Sequence, residues 1–217
     1  MAELQDIRTH LFASLLSDVM DALGHRNNAL PPAIRPLDDA SVMVGRARTA
    51  LFMDVYAIEE GENPYENEIA LIDSLQPNQI PVFACGKTGR IAPWGELLST
   101  ASKLRGAAGA LMDGLVRDIR AIRKMGFPVF HGGIGPLDSK GRGTIMALDV
   151  PVECAGVRIC PGDLIFGDAD GVVVVPRAIE AAVLATAFEK LKGENLTLAD
   201  LRAGISLGEV FAKYGVL

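Results

Sequence analysis

The run Asp113-Gly114-Leu115-Val116-Arg117-Asp118 sets two carboxylates and a guanidinium around a single glycine. A carboxylate can hold a hard cation or a water, and arginine is an always-charged donor for an oxyanion. The run follows Ala107–Met112, which reads as a small apolar strand, and leads into Arg117–Met125, which reads as a helix stopped by Gly126. The carboxyl ends of strands are where open α/β sheets bind ligands. Each acid also has a plain structural use: Asp118 as a helix cap or dipole partner, Asp113 as a turn residue. Taken singly, that use prevails. Arg117 shifts the balance, because a cation at a helix N-terminus opposes the dipole. It needs a nearby anion, which is Asp113, another chain or a substrate.

A second segment, Ala92-Pro93-Trp94-Gly95-Glu96-Leu97-Leu98-Ser99, opens a helix read over Trp94–Leu104. The N–H groups from Gly95 to Leu98 have no carbonyl ahead of them and would point outward, able to take a carboxylate or phosphate. An ordinary helix start, with Glu96 offsetting the dipole, is the simpler account of these residues alone. Gly132-Gly133-Ile134-Gly135-Pro136 lacks the Lys and Ser/Thr of a phosphate loop and reads as a loop wall. Asp168-Ala169-Asp170-Gly171 lacks the spacing of a calcium loop and reads as a tight hairpin turn. Cys85 and His131 read as core or pocket-wall residues, and no G-x-S-x-G is present. Cys85, Cys154 and Cys160 form no C-x-x-C, and His10, His25 and His131 have no ligand spacing. A structural zinc site is therefore not expected, and a reduced cytosol is.

The elements that must carry these residues follow from periodicity. Residues 4–24 read as one helix, 42–52 as a strand, 68–75 as a short helix and 80–85 as a buried strand. From 80 to 130 strands and helices alternate, ending with the strand Phe127–Phe130, which is an α/β signature. From 144 to 175 short strands at 144–146, 150–154, 157–159, 164–166 and 172–175 predict a compact β-meander or half-barrel. Residues 178–193 read as a helix and 198–217 as a helix-turn-helix tail. No linker interrupts the chain, so residues 1–217 are expected to form a single domain, with 178–217 as a C-terminal helical extension.

Composition narrows the classes. The chain has 217 residues, with Lys plus Arg at 21 against Asp plus Glu at 27 and a net charge of −6. That balance argues against a generic nucleic-acid binder and a polybasic membrane anchor. Hydrophobic residues make up 49% but aromatics only 6%, and mean hydropathy is +0.26. The excess of aliphatic surface points to a homo-oligomer. No stretch is long and apolar enough to span a bilayer, and Met1-Ala2-Glu3-Leu4-Gln5-Asp6 lacks the basic start of a signal peptide. A cytoplasmic protein is expected.

Several segments together resemble one family: Gly95-Glu96-Leu97-Leu98, Arg105-Gly106-Ala107-Ala108-Gly109, Asp113 to Asp118, Phe127-Pro128-Val129-Phe130, Pro161-Gly162-Asp163, and Asp168 through Pro176. Ser17 to Gly24 and Lys213 to Leu217 extend the likeness over nearly the whole chain. The family is that of the regulator of ribonuclease activity A and 4-hydroxy-4-methyl-2-oxoglutarate aldolase. The resemblance implies an α/β fold, a swivelling β/β/α domain (RraA-like) with a C-terminal helical tail here. It implies trimers, sometimes paired into hexamers, with the active site between subunits.

For activity, the resemblance implies a divalent-metal-dependent lyase, a class II pyruvate aldolase that also decarboxylates oxaloacetate. Asp118 matches the ligand of Mg²⁺ or Mn²⁺, and Arg117 matches the contact to the pyruvate oxygen. The backbone at Gly95, Glu96, Leu97 and Leu98 matches the holder of the substrate carboxylate. Glu194 is the best match for a carboxylate contributed by a neighbouring subunit. Glu96 or Asp113 would hold a water for proton transfer. Lys87 reads as a surface or ion-pair lysine, not as a Schiff-base former. Glu96 stands where the aldolases often have Asp, and Pro77-Asn78-Gln79-Ile80 where Pro-Gly-Asp-Val is usual. Some relatives carry a methyltransferase label, but the sequence has no S-adenosylmethionine loop. Two alternatives stand beside the aldolase: a non-catalytic regulator that binds a ribonuclease, and a related lyase on another 2-oxo acid or a sugar acid. The tail over 180–217 favours an enzyme, because the regulators are shorter. Residues that recognise the rest of the substrate are expected within 52–68 and 131–140.

Overall fold

In chain order, the N-terminus forms helices α1 (Leu4–His10) and α2 (Ala13–Ala22), followed by strands β1 (Arg35–Pro36) and β2 (Met43–Asp54). The structure, a computed structural model, describes residues 3–58, 60–86 and 89–215; Lys87 lies outside them. Next come α3 (Glu66–Asp73), β3 (Gln79–Ala84), α4 (Glu96–Leu104), β4 (Ala110–Met112), β5 (Leu115–Val116) and α5 (Ile119–Met125). Then follow β6 (Val129–His131), β7 (Gly133–Ile134), β8 (Gly143–Leu148), β9 (Val152–Cys154) and β10 (Val157–Ile159). The chain closes with β11 (Leu164–Asp168), β12 (Gly171–Val175), α6 (Glu180–Arg202) and α7 (Leu207–Tyr214).

The main sheet has the order β1-β6-β4-β3-β2-β11-β12, with β8 also paired to β2. Strands β2, β3, β4 and β6 run parallel, while β8 and β11 lie antiparallel to β2. The parallel part is buried on both faces, which is why Ile80–Cys85 is apolar at every position. On one face Ile80, Val82 and Leu111 pack under the β9–β10 hairpin. On the other, Phe83, Met112 and Val129 pack against Leu71, Ile72 and Ile122 from α3 and α5. A third cluster joins Leu15, Leu16 and Val19 of α2 to Val183 of α6 and to Phe166 and Val175.

Three expectations are corrected here. Residues 4–24 form two helices, because Phe12 is extended (φ −145, ψ 160). Asp168 Oδ2 accepts from the Ala13 N–H at 2.8 Å, so a residue far along the chain caps α2 where local periodicity shows no break. The strands of 144–175 do not form one meander. Strand β8 and strand β11 find their partner in β2, and β9–β10 stands as a separate hairpin. The two C-terminal helices divide later than expected. Gly193, which costs a helix interior only about 1 kcal/mol, is absorbed in α6, and the break falls at Ser206, which makes a capping box with Glu209.

Candidate functional site

Two strand ends hold the site. Trp94 is fully buried, donates Nε1–H to Ser99 Oγ at 2.7 Å, and stacks on Phe127. It pairs with Val116, and its carbonyl accepts the Arg117 N–H at 2.9 Å. This ties the entry to α4 directly against the entry to α5. Gly95, the residue before α4, lies so near that a Cβ there would sit 2.5 Å from Asp118 Oδ2. Only glycine fits.

Asp118 adopts the left-handed conformation (φ 59, ψ 30), which Asp tolerates better than most residues. Its side chain makes no capping bond to α5, the helix it precedes. Instead Oδ2 accepts the Glu96 N–H at 3.1 Å, at the first residue of α4. The Leu97 and Leu98 N–H groups follow, with no carbonyl partner inside α4.

Arg117 finds its anions in Asp138 (Nη2 to Oδ1, 3.5 Å) and Asp118 (Nε to Oδ2, 3.9 Å). Asp113 is not one of them. Its carboxylate accepts the N–H groups of Cys85 and Ala155 and so pins the end of β3 to the β9–β10 turn. Burial pushes its carboxyl pKa up, and those N–H bonds pull it back. Asp113 lines neither of the clefts described below, so the expected water-holding role is not set up on that residue.

Four further side chains complete the wall. Tyr65 Oη donates to Asp138 Oδ2 at 2.6 Å, and Ser139 Oγ donates to Glu68 Oε1 at 3.0 Å. Burial raises Asp138, but the Tyr65 hydroxyl and the Arg117 charge outweigh it and hold the carboxyl below its ordinary pKa. Glu68 is only 4% exposed. Its burial, against the Ser139 hydrogen bond, pushes its pKa up to about 7. Burial and the neighbouring Asp138 push Tyr65 up to about 12.

These residues fall within the segments expected to recognise the substrate, although the sequence singled out none of them. Glu68 had a signal: it lies three and four positions before Leu71 and Ile72, on the face that α3 buries. Asp138 and Ser139 sit in a loop with no periodicity to read.

Arg117 and Asp118 form a ridge between two clefts. The larger, about 460 Å³, runs between α3 and α4 past Gly95, Leu97 and Leu98. The smaller, about 420 Å³, lies beside Ile119, Ile134 and Pro136. Glu96 is exposed at the start of α4. Glu194 lies on α6, with Lys190 at 3.8 Å, and Lys190 also binds Asp18 at 2.6 Å. Glu194 lines neither cleft of its own chain.

Among the described residues no three His, Cys, Asp or Glu side chains gather around a point that could hold a metal. The donor set fits a hard cation held loosely. Asp118 is half-exposed, and its Oδ1 is not engaged by the Glu96 N–H. Mg²⁺ accepts one carboxylate with waters and substrate oxygens completing its shell.

The family model described as RraA-like (Aldolase/RraA) matches residues 13–174. A protein of Halalkalibacterium halodurans, named by inference as a 4-hydroxy-4-methyl-2-oxoglutarate aldolase, is 37% identical over 175 residues, covering 81% of this chain and 77% of that one. A solved structure of an uncharacterised protein from Pseudomonas syringae pv. tomato superposes with a TM-score of 0.82 at 27% identity, covering 95% of each chain. Streptomyces coelicolor RraAS2, described as an unusual member of the RNase ES inhibitor RraA protein family, superposes with a TM-score of 0.79 at 27% identity, covering 89% of this chain and 94% of that one.

Proposed function

The chain belongs to the RraA-like, Aldolase/RraA family, and on that footing we propose that it is a carbon–carbon lyase releasing pyruvate from a small 2-oxo acid. The observation that carries this reading is the meeting of Arg117, Asp118 and the open N-terminus of α4 at one cleft. The Leu97 and Leu98 N–H groups bind the substrate carboxylate, aided by the helix dipole. Arg117 donates to the 2-oxo oxygen, where negative charge grows as the C3–C4 bond breaks. Asp118 would hold Mg²⁺ or Mn²⁺. When bound there, such a cation supplies Lewis-acid stabilisation of the enolate charge.

The remaining work belongs to positioning and proton transfer. Asp138 and Tyr65 fix the Arg117 guanidinium, and Trp94 fixes the backbone of the helix end. Glu96, exposed beside this end, would hold a water that moves the proton. We assign Glu194 to the site of a neighbouring subunit in a homotrimer or homohexamer. Leu97 at 83% exposure and Ile134 at 55% leave apolar surface at the ridge for such a neighbour to cover.

The test is pyruvate release from oxaloacetate and from 4-hydroxy-4-methyl-2-oxoglutarate, with Mg²⁺ or Mn²⁺ and then with chelator, after subtracting decarboxylation by metal alone. Chelator-sensitive release is the expected result. Its absence in folded, metal-supplied protein overturns the lyase reading. One observation favours a second reading: the Streptomyces neighbour is described as belonging to a family of ribonuclease inhibitors. On that reading the protein binds a ribonuclease without catalysis. Retention of a ribonuclease in a pull-down, together with no turnover, is the outcome that selects it.

A further inference from the structure

Cleavage of a 4-hydroxy-2-oxo acid asks for one group that decarboxylation of oxaloacetate does not: a base for the 4-hydroxyl proton. Among the described residues, the acids lining the larger cleft are Glu68, Asp73, Asp118 and Asp138. Asp118 is assigned to the cation. Asp138 is tied to Tyr65 and Arg117 and held below its ordinary pKa, which makes it a weak base. Asp73 is exposed and paired with Arg105.

Glu68 is placed differently. It is buried in the α3 wall of the cleft, and its Oε1 accepts from Ser139 Oγ at 3.0 Å. That bond fixes the carboxyl group and leaves Oε2 to a substrate. Ser139 follows Asp138, the partner of Arg117, so one loop sets both Glu68 and the anchor for the 2-oxo oxygen. With the substrate carboxylate at the start of α4 and its 2-oxo oxygen at Arg117, C3 and C4 extend into the space that Glu68 walls. A general base works best when its pKa lies near the working pH. Burial raises the Glu68 carboxyl, while Ser139 and the Arg117 charge draw it back, to about 7. The other titratable groups facing it are Asp138, which adds to the rise, and the Tyr65 hydroxyl and Cys85 thiol, both kept protonated by burial.

Building on the pyruvate-lyase reading, we propose that Glu68 is the general base of aldol cleavage, taking the 4-hydroxyl proton on Oε2 while Ser139 holds Oε1. The 4-oxygen becomes the carbonyl of an aldehyde or ketone. The C3–C4 bond breaks, and its electron pair stays on C3 as the enolate of pyruvate. C3 takes a proton from the water at Glu96, and the proton on Glu68 returns to solvent, replacing the one that C3 consumed. Nothing is oxidised or reduced overall. Oxaloacetate has no 4-hydroxyl. Its C3–C4 bond breaks with loss of CO₂ from a carboxylate that is already ionised, so it uses the same enolate site without this step.

The test measures pyruvate release from 4-hydroxy-4-methyl-2-oxoglutarate and from oxaloacetate side by side, on the full chain with Mg²⁺ supplied, after subtracting decarboxylation by metal alone. In the wild type, kcat/KM for cleavage should rise through about pH 7 along a limb that decarboxylation lacks. Glu68→Gln can still accept from Ser139. It should lower cleavage about 10²-fold or more, with the ratio of cleavage to decarboxylation falling about tenfold or more. Ser139→Ala withdraws a bond that lowers the Glu68 pKa, so the cleavage limb should move to higher pH. Equal losses on both substrates in Glu68→Gln, a limb unmoved in Ser139→Ala, or a wild type that decarboxylates without cleaving overturns the base assignment and leaves pyruvate release standing. A ratio change found in Glu194→Gln and not in Glu68→Gln also overturns it, and puts the base on the neighbouring subunit. No chelator-sensitive pyruvate from either substrate overturns the lyase reading and this inference with it.

Discussion

A methyl group on Gly95 would lie 2.5 Å from Oδ2 of Asp118, although the two residues are far apart in sequence. The contact is tighter than side-chain carbons sustain, so one partner must move if Gly95 gains a side chain. Backbone pairing between Trp94 and Val116 holds both from behind, and the carboxylate is the part free to yield.

Gly95→Ala is therefore expected to fold and to lose about 10²-fold in kcat/KM, the usual penalty for misplacing a catalytic group by about an ångström. Circular dichroism and steady-state pyruvate release check the two halves of that statement. A variant with full activity would show that the Asp118 position is not critical.

Asp118→Asn retains a side chain that suits φ 59 and can still accept from the Glu96 N–H. Asp118→Ala keeps neither advantage and takes on about 1–2 kcal/mol of left-handed backbone strain. Both should lose chelator-sensitive pyruvate release, but only the alanine variant should melt several degrees lower. Retained turnover in Asp118→Asn would remove Asp118 from the proposed metal site.

The buried acid on α3 predicts a pH dependence. The folded protein keeps the Glu68 proton up to about pH 7, whereas the ordinary value is near 4.5. Between those values the folded state carries the additional proton. Stability is thus fully present below the lower value and falls as pH rises toward the upper one, by on the order of 3 kcal/mol in total. Glu68→Gln, which can still accept from Ser139, should flatten this slope in urea melts at pH 5 and pH 8. An unchanged slope would locate the effect in other groups.

Tyr65→Phe removes the hydroxyl that donates to Asp138. The Asp138 carboxyl should then rise toward its ordinary pKa, and Arg117 should lose a fixed neighbour. The expected cost is about 1 kcal/mol in stability and a KM raised about three- to tenfold, with kcat changed less. An unaltered KM would show that Arg117 is positioned without this contact.

The α/β alternation over residues 80–130 was legible because each strand and helix there is a single run of one periodicity. Arg117, Asp118, Leu97 and Leu98 meet at one cleft because they sit at the ends of such runs, where the sheet geometry leaves little freedom. What stayed hidden depends on partners distant in sequence. Nothing around Phe12 announces that Asp168 will end one helix and start another. The strands of 144–175 carry no mark saying that two of them belong to β2. Asp113 has the residue type for chemistry, yet the N–H groups of Cys85 and Ala155 claim it, and both lie on other elements. Glu68 could have been found from its position before Leu71 and Ile72, had a buried glutamate been expected.

Strand β2 joins its neighbours in an unequal order. One edge meets β3 as soon as residues 79–84 are available. The other edge waits for residues 143–148 and 164–168, which arrive much later on the ribosome. A nascent chain halted between these points leaves the backbone N–H and C=O groups of that edge unpaired, the kind of surface that recruits other strands. Substitutions in β8 and β11 should therefore be felt during synthesis as well as in the stability of the finished molecule, whose core holds Leu164, Ile165 and Phe166.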